Sequence, residues 1–467
     1  MVIIAALALL LATLFPRMAT GTTPCTTVAA GGAHALALAD DGTVWAWGFN
    51  DQGQLGDGSL QYTTAPVQVQ GLPEIISISA GYTSSMALGR DGSVWTWGSN
   101  QFGELGNGTT ASHARPERIP TLDHITAIAM NAGTGMAIKG DGTLWLWGQN
   151  NGPTPSQIPA LASVAGIGVG QASLYAFTFD CALWTWGKNA FGQLGDGTST
   201  PQLKPARANL FACLSKVAAA NHTLALSSTG EIWSWGYNRD GQLGNSTNLN
   251  SSTPTIVPGL KNIVAVTCDQ HSLALQADGS VWAWGLNDCG QLGTGTTIAR
   301  NRPTKVEGLR AATGLAAGAM FSIAAKADGS VWAWGLNNYG QLGDGSIDNH
   351  PTPTQVTGFE GIGLLNLKQA AASSKKSLDL KTIPPITFTV TPTGGVAPLA
   401  VTFQALLEEG PTPISIHWDF GDGEVANTPS PHHTYQSPGS YIATVNVTYQ
   451  KEIFRESMKQ IHVKPPW

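Results

Sequence analysis

Charge is scarce in this chain: Asp, Glu, Lys and Arg make up 12% of 467 residues, and the formal net charge is −6. Lys and Arg form no long run, which argues against a nucleic-acid partner. Cysteine is sparse as well, with five copies. No Cys/His spacing suits a metal, no Gly-x-Ser-x-Gly elbow presents a nucleophile, and there is no phosphate-binding glycine loop or isolated carboxylate pair. These gaps leave no catalytic residue, metal ligand or cofactor to name. Past the first fifteen residues no apolar run is long enough to span a bilayer.

Glycine and tryptophan are abundant instead, with 56 and 16 copies. Such a composition suits many short strands joined by tight turns and argues against helices or disorder. Fourteen of the tryptophans fall in seven copies of one motif, apolar-Trp-x-Trp-Gly, at Val44–Gly48, Val94–Gly98, Leu144–Gly148, Leu183–Gly187, Ile232–Gly236, Val281–Gly285 and Val331–Gly335. Successive copies are 50, 50, 39, 49, 49 and 50 residues apart. A strand-type motif at a fixed period near fifty predicts an all-β chain whose main part is a seven-bladed β-propeller.

One unit, residues 72–120, shows the expected blade. Ile75–Ala80 alternates as a first strand, Ser84–Leu88 reads as a second, Asp91-Gly92 is a hairpin turn, Val94–Trp97 is a third, and Arg118-Ile119 is the predicted outer strand. In a strand, residues i and i+2 share a face, so Trp45 and Trp47 point one way and Val44 and Ala46 the other. Six of the seven residues between the tryptophans are small; Leu146 is the exception. Indoles on one face and small groups on the other let each blade nest into the next. Burying one Trp removes apolar area worth about 5 kcal/mol gross.

A second motif, Asn-x-x-Gly-Gln-Leu-Gly, follows the Trp strand at Asn50, Asn189, Asn238, Asn287 and Asn337, with Glu replacing Gln in the copy at Asn100. Asn and Gly here read as turn chemistry, and Leu as a plug against the blade edge. The third repeat has only Gln149-Asn150-Asn151-Gly152 before Pro153, so this loop is clipped and predicts a depression on one face.

Together with Gly31-x-x-His34-x-Leu36-Ala37-Leu38 and the Asp-Gly turns, these motifs make residues 26–362 resemble the regulator of chromosome condensation repeat family. The resemblance implies the seven-bladed fold. That family includes a nuclear exchange factor, but Met1 to Phe15 is apolar apart from Thr13 and precedes small residues, which reads as a signal peptide over 1–22. No Lys or Arg precedes the apolar stretch, so an uncleaved anchor is the alternative. A secreted or cell-surface location is expected, and the β-lactamase-inhibitory type is then the closer analogue. His34, His222 and His271 share a repeat position taken elsewhere by Ser84, Thr134, Ser173 and Phe321, which marks packing or hydrogen bonding rather than ligation.

The propeller is expected over 23–364, a solvated linker over 365–385, and a different module over 386–464. Trp418-Asp419-Phe420-Gly421-Asp422-Gly423 makes the last resemble the PKD domain, an immunoglobulin-like β-sandwich. Trp418 and Phe420 should share a buried face, and Asp419 and Asp422 read as a hydrogen-bonded turn, with calcium as the alternative.

In a four-strand meander the Asp-Gly turn and the blade-to-blade connection lie on one face, and the other two loops lie on the opposite one. That predicts disulfides Cys181–Cys213 and Cys268–Cys289, leaving Cys25 over; free buried thiols are the alternative. On the face of the first and third loops, Tyr82, Phe102, Phe191, Arg239, Met320 and Tyr339 are of the types that dominate binding hot spots. The expected function is a non-catalytic binding or adhesion protein holding a protein or glycan partner there, with the PKD module as spacer or accessory adhesive unit. An extracellular enzyme of polysaccharide or protein with a site near the axis, and a structural envelope protein, are the alternatives.

Overall fold

A computed structural model describes residues 27–210, 212–368, 387–406, 415–450 and 453–465. The predicted signal segment and Cys25 lie outside the described residues. The chain divides into two compact units, 1–371 and 372–467. Among the described residues no helix is long and apolar enough to cross a membrane.

The first unit holds seven four-stranded antiparallel sheets, each made of consecutive strands. Blade one, for example, runs Thr27–Ala30, His34–Leu38, Val44–Gly48 and Thr63–Gln68. The first strands touch one another around a closed ring, blade seven (Ala312–Gln355) meeting blade one. This is the predicted seven-bladed propeller. The outer strand of the second blade is His113–Arg118, not the predicted Arg118-Ile119. Its polar, Pro-containing sequence suits an unpaired edge, and Ile119 is buried just beyond it.

The seams between blades follow the Trp pattern. The second indole of each motif (Trp47, Trp97, Trp147, Trp235, Trp284, Trp334) is fully buried, and Trp186 is 5% exposed. Trp97 packs with Ala46 and Leu55 of the preceding blade, and Trp334 with Ala283 and Leu292. Six of these indoles also donate a hydrogen bond to a carbonyl of the preceding blade's loop, Trp47 to Gln341, Trp97 to Gln54, Trp147 to Glu104, Trp235 to Gln193, Trp284 to Gln242 and Trp334 to Gln291, at 2.7–3.0 Å. One side chain thus supplies both the apolar filling and the polar lock of its seam.

The closing seam has an extra part. Leu365 and Leu367 are buried with Val28, Trp47, Ala333 and Val356, and Leu367 N–H donates to the Gly329 carbonyl at 2.9 Å. The expected solvated linker therefore does not start at 365: residues to Lys368 belong to the propeller, because two leucines there find apolar cover between the first and last blades. The rest of that linker lies outside the described residues.

The Cys181–Cys213 disulfide is formed, with Cα atoms 4.4 Å apart. It joins the blade-four turn to the next connection and closes a separation of 32 residues. Replacing both cysteines with Ser is expected to lower unfolding free energy by about 3–4 kcal/mol by loop entropy, read as a lower urea midpoint. The predicted Cys268–Cys289 bond is absent, and both are free thiols. Sharing a face is not enough: Cys268 ends the first strand of blade six and Cys289 follows the third, with His271–Gln276 between them. Strands two apart in a sheet are separated by about 10 Å, beyond the ~7 Å Cα limit of a disulfide. Cys268 Sγ instead lies 4.0 Å from the His222 carbonyl of blade five.

The second unit pairs a three-stranded sheet with a five-stranded one. Its core includes Phe388, Val401, Phe403, Trp418, Phe420, Tyr435, Val445 and Ile461. Trp418 and Phe420 are both buried, as alternation predicts. Asp419 accepts the Gly421 N–H at 2.8 Å, and Asp422 accepts the Glu424 N–H at 3.3 Å and pairs with His433 at 2.7 Å. The acidic motif is a hydrogen-bonded turn.

Candidate binding interface

The loop after each Trp strand is fixed from within. Asn50 Oδ1 accepts the Leu55 N–H at 2.9 Å, while its amide donates to the Ser59 and Gln61 carbonyls. The same closure recurs at Asn100, Asn189, Asn238, Asn287 and Asn337. The loop leucines, Leu55 to Leu342, are fully buried as predicted plugs. Gly56 must be Gly twice over: its φ is +71°, and a Cβ would come within 2.8 Å of the next blade's Trp97 indole. Such loops give a rigid base for whatever they carry.

They carry Phe102, Phe191, Arg239 and Tyr339 of the predicted set, while Tyr82 and Met320 stand in the turns between the first and second strands of their blades. Phe102, Phe191 and Tyr339 occupy one loop position, two past the Asn, and each leans on the following blade. Phe102 covers Gly133, where a Cβ would come within 2.6 Å of its ring. Phe191 meets Tyr237 edge-on at 4.9 Å, and Tyr339 meets Phe49 at 4.6 Å. Tyr82 rests over Gly32. Tyr82, Phe102 and Tyr339 remain 55%, 46% and 42% exposed, and Arg239 is exposed, whereas Phe191 and Met320 are half-buried. Phe321, beside Met320, is fully buried core, as expected.

Sequence reasoning missed a set of aliphatic residues on the same loops. Leu60, Leu249, Ile298 and Ile347 are 56–75% exposed, on blades one, five, six and seven, which are consecutive around the ring. Their signal was available: an apolar residue ten or eleven places after the loop Asn, where blades two and four have Thr110, Ala111, Ser199 and Thr200. Exposed apolar side chains repeated on consecutive blades are a feature that a monomeric surface does not need.

The axis holds a channel of about 350 Å³ lined by small residues of the first strands, with Lys216, Cys268 and Asp269 among them. Burial pushes the Cys268 thiol up, and desolvation raises the half-buried Asp269 to about 6, while Lys216 is exposed. Asp269 is hydrogen-bonded by the Gln270 amide at 3.1 Å. His34, His222 and His271 lie off the channel, each linked through Nε2 to a Ser of the next blade (Ser85, Ser272 and Ser322) at 2.7–3.0 Å. These serines in turn donate to the Gln54, Gln242 and Gln291 carbonyls. Burial lowers each imidazole to about 3, so all three are neutral and structural. Among the described residues no three His, Cys, Asp or Glu side chains come together as a metal set.

Comparison with known proteins agrees with this architecture. Residues 151–380 match the RCC1-like domain, residues 41–88 and 91–138 match the regulator of chromosome condensation (RCC1) repeat, and residues 386–452 match the PKD domain. The E3 ubiquitin-protein ligase HERC2 of Homo sapiens is 51% identical over 45 residues, and the protein RCC2 homolog of Danio rerio is 45% identical over 42. These stretches cover 10% and 9% of this chain and only 1% and 8% of the relatives. Prp20p of Saccharomyces cerevisiae, studied for binding Gsp1p and histones, superposes with a TM-score of 0.63 at 21% identity, over 72% of this chain and 94% of that one. Yeast RCC1 (Prp20) in complex with Kap60 gives 0.62 at 21% identity, over 78% and 98%. The chain carries an RCC1-repeat propeller with an RCC1-like domain, followed by a PKD domain.

Proposed function

We propose that this is an exported binding protein that holds a protein or glycan partner on the loop face of its propeller, the PKD domain serving as spacer or accessory adhesive unit. The observation that carries the reading is the set of exposed side chains on this face: Phe102, Tyr339 and Arg239 on pinned loops and Tyr82 on a tight turn, with Leu249, Ile298, Ile347 and Leu60 along consecutive blades. Rigid aromatic groups lose little entropy on contact, so a preset surface of this kind favours binding. The RCC1-type propellers it resembles in fold are seen with protein partners, which supports the same mode. The Cys181–Cys213 bond supports export, because such bonds persist in oxidising compartments.

The triple variant Phe102→Ala, Phe191→Ala, Tyr339→Ala is expected to lose capture of the partner from secreted extracts by at least tenfold, with an unchanged circular dichroism spectrum. Undiminished capture by the folded variant removes the loop face from the proposal.

A further inference from the structure

The clipped third loop leaves the blade three–four seam unlike the other six. In each of those, the preceding loop makes three contacts with the next blade. A loop carbonyl accepts the Trp indole N–H, a Leu fills the seam, and an N–H three residues past that Leu donates to the second residue of the next outer strand. The last bond joins Gly58 to Ala114, Gly108 to Pro153, Gly197 to Ser252, Ser246 to Asn301, Gly295 to Pro351 and Gly345 to Thr64, at 2.9–3.0 Å. The corresponding groups at the odd seam are the Trp186 indole and the Leu203 carbonyl, and among the described residues neither has its loop partner.

In place of the loop is a cleft of about 960 Å³ lined by Leu146, Ile158, Leu174, Trp186 and Leu203, with Lys188 and Lys204 also in its wall. Leu203 is 95% exposed because no loop covers its strand. Leu146, large where the other blades have a small residue, closes the base of the seam but leaves the cleft open above it.

We propose that this cleft receives a peptide segment of a protein partner that replaces the missing loop: a backbone carbonyl for Trp186, then an apolar residue such as Leu, then a backbone N–H for Leu203. Lys188 and Lys204, both exposed, select acidic residues beside the apolar anchor. The six intact seams are the template, since the same backbone pattern meets the same positions in each. Recognition through main-chain bonds and one side-chain anchor needs little else from the partner. This site is separate from the aromatic ring and does not depend on it.

The probe is the chain's own second loop as a synthetic peptide, Asn-Gln-Phe-Gly-Glu-Leu-Gly-Asn-Gly, residues 100–108. Added to the full chain, it is expected to saturate and to move the Trp186 indole N–H resonance downfield, assigned with Trp186→Phe. A Leu105→Asp peptide is expected to bind at least tenfold more weakly, and Lys188→Glu with Lys204→Glu to weaken the original peptide about tenfold at low salt. Both lysines are exposed, so that variant folds. The Phe102→Ala, Phe191→Ala, Tyr339→Ala variant still takes the peptide. An unmoved Trp186 resonance at millimolar peptide, or binding that survives Leu105→Asp, overturns the proposal.

Discussion

Lowering the pH from 7 to 5 is expected to destabilise the propeller by several kcal/mol. His34, His222 and His271 are fully buried and neutral, with burial holding each near 3 against 6.5 in an unfolded chain. Below 6.5 the unfolded chain takes up three protons that the folded one refuses, so stability falls as pH drops from 6.5 toward 3. By linkage each histidine contributes about 2 kcal/mol of loss at pH 5. Asp269 acts in the opposite sense: raised to about 6, it favours the folded state as it protonates, one group against three. Urea unfolding followed by tryptophan fluorescence reads the propeller, which holds fourteen of the sixteen indoles. The midpoint should fall steeply across this range, and His222→Ser should make the fall shallower by about one proton. A midpoint equal at pH 7 and pH 5 contradicts neutral, buried imidazoles.

Trp284→Ala is expected to cost about 3–5 kcal/mol, the range for deleting a buried aromatic ring. Its indole fills the seam between blades five and six and donates to the Gln242 carbonyl at 2.8 Å. The same substitution at Trp186 is expected to cost about 1 kcal/mol less, because no loop carbonyl hydrogen bond is lost there and the ring already lines an open cleft. The comparison is internal: both residues hold the same place in the repeat. Equal losses in urea midpoint at the two sites would show that the seam without its loop is as tightly locked as the others.

Much of the propeller is legible in the sequence because its repeat encodes contacts between units. The Trp-x-Trp spacing sets one face, small residues such as Ala46 and Ala283 set the other, and Asn50 with its equivalents writes the loop closure locally. What escaped depends on distance through the fold. Cys268 and Cys289 share a face, but the strand His271–Gln276 between them fixes their separation. Leu365 and Leu367 sit in a stretch with no repeat pattern, and only the meeting of the first and last blades gives them cover. The outer strand His113–Arg118 is polar because it lies at the rim, so an apolar signal pointed too far along. For the candidate surface, residue types marked Phe102, Phe191 and Tyr339, while their partners Gly133, Tyr237 and Phe49 lie on neighbouring blades and emerge only on folding.

The stretch Leu365–Leu367 is also the end of the propeller from which the chain runs on toward the PKD domain. It lies across the joint where the circle is shut, held by two leucines and a few backbone bonds, and among the described residues no disulfide spans that joint. A pull from the C-terminal side therefore reaches this clasp before any other seam. Under mechanical load the propeller would part between its last blade and its first, while the other six joints stay shielded.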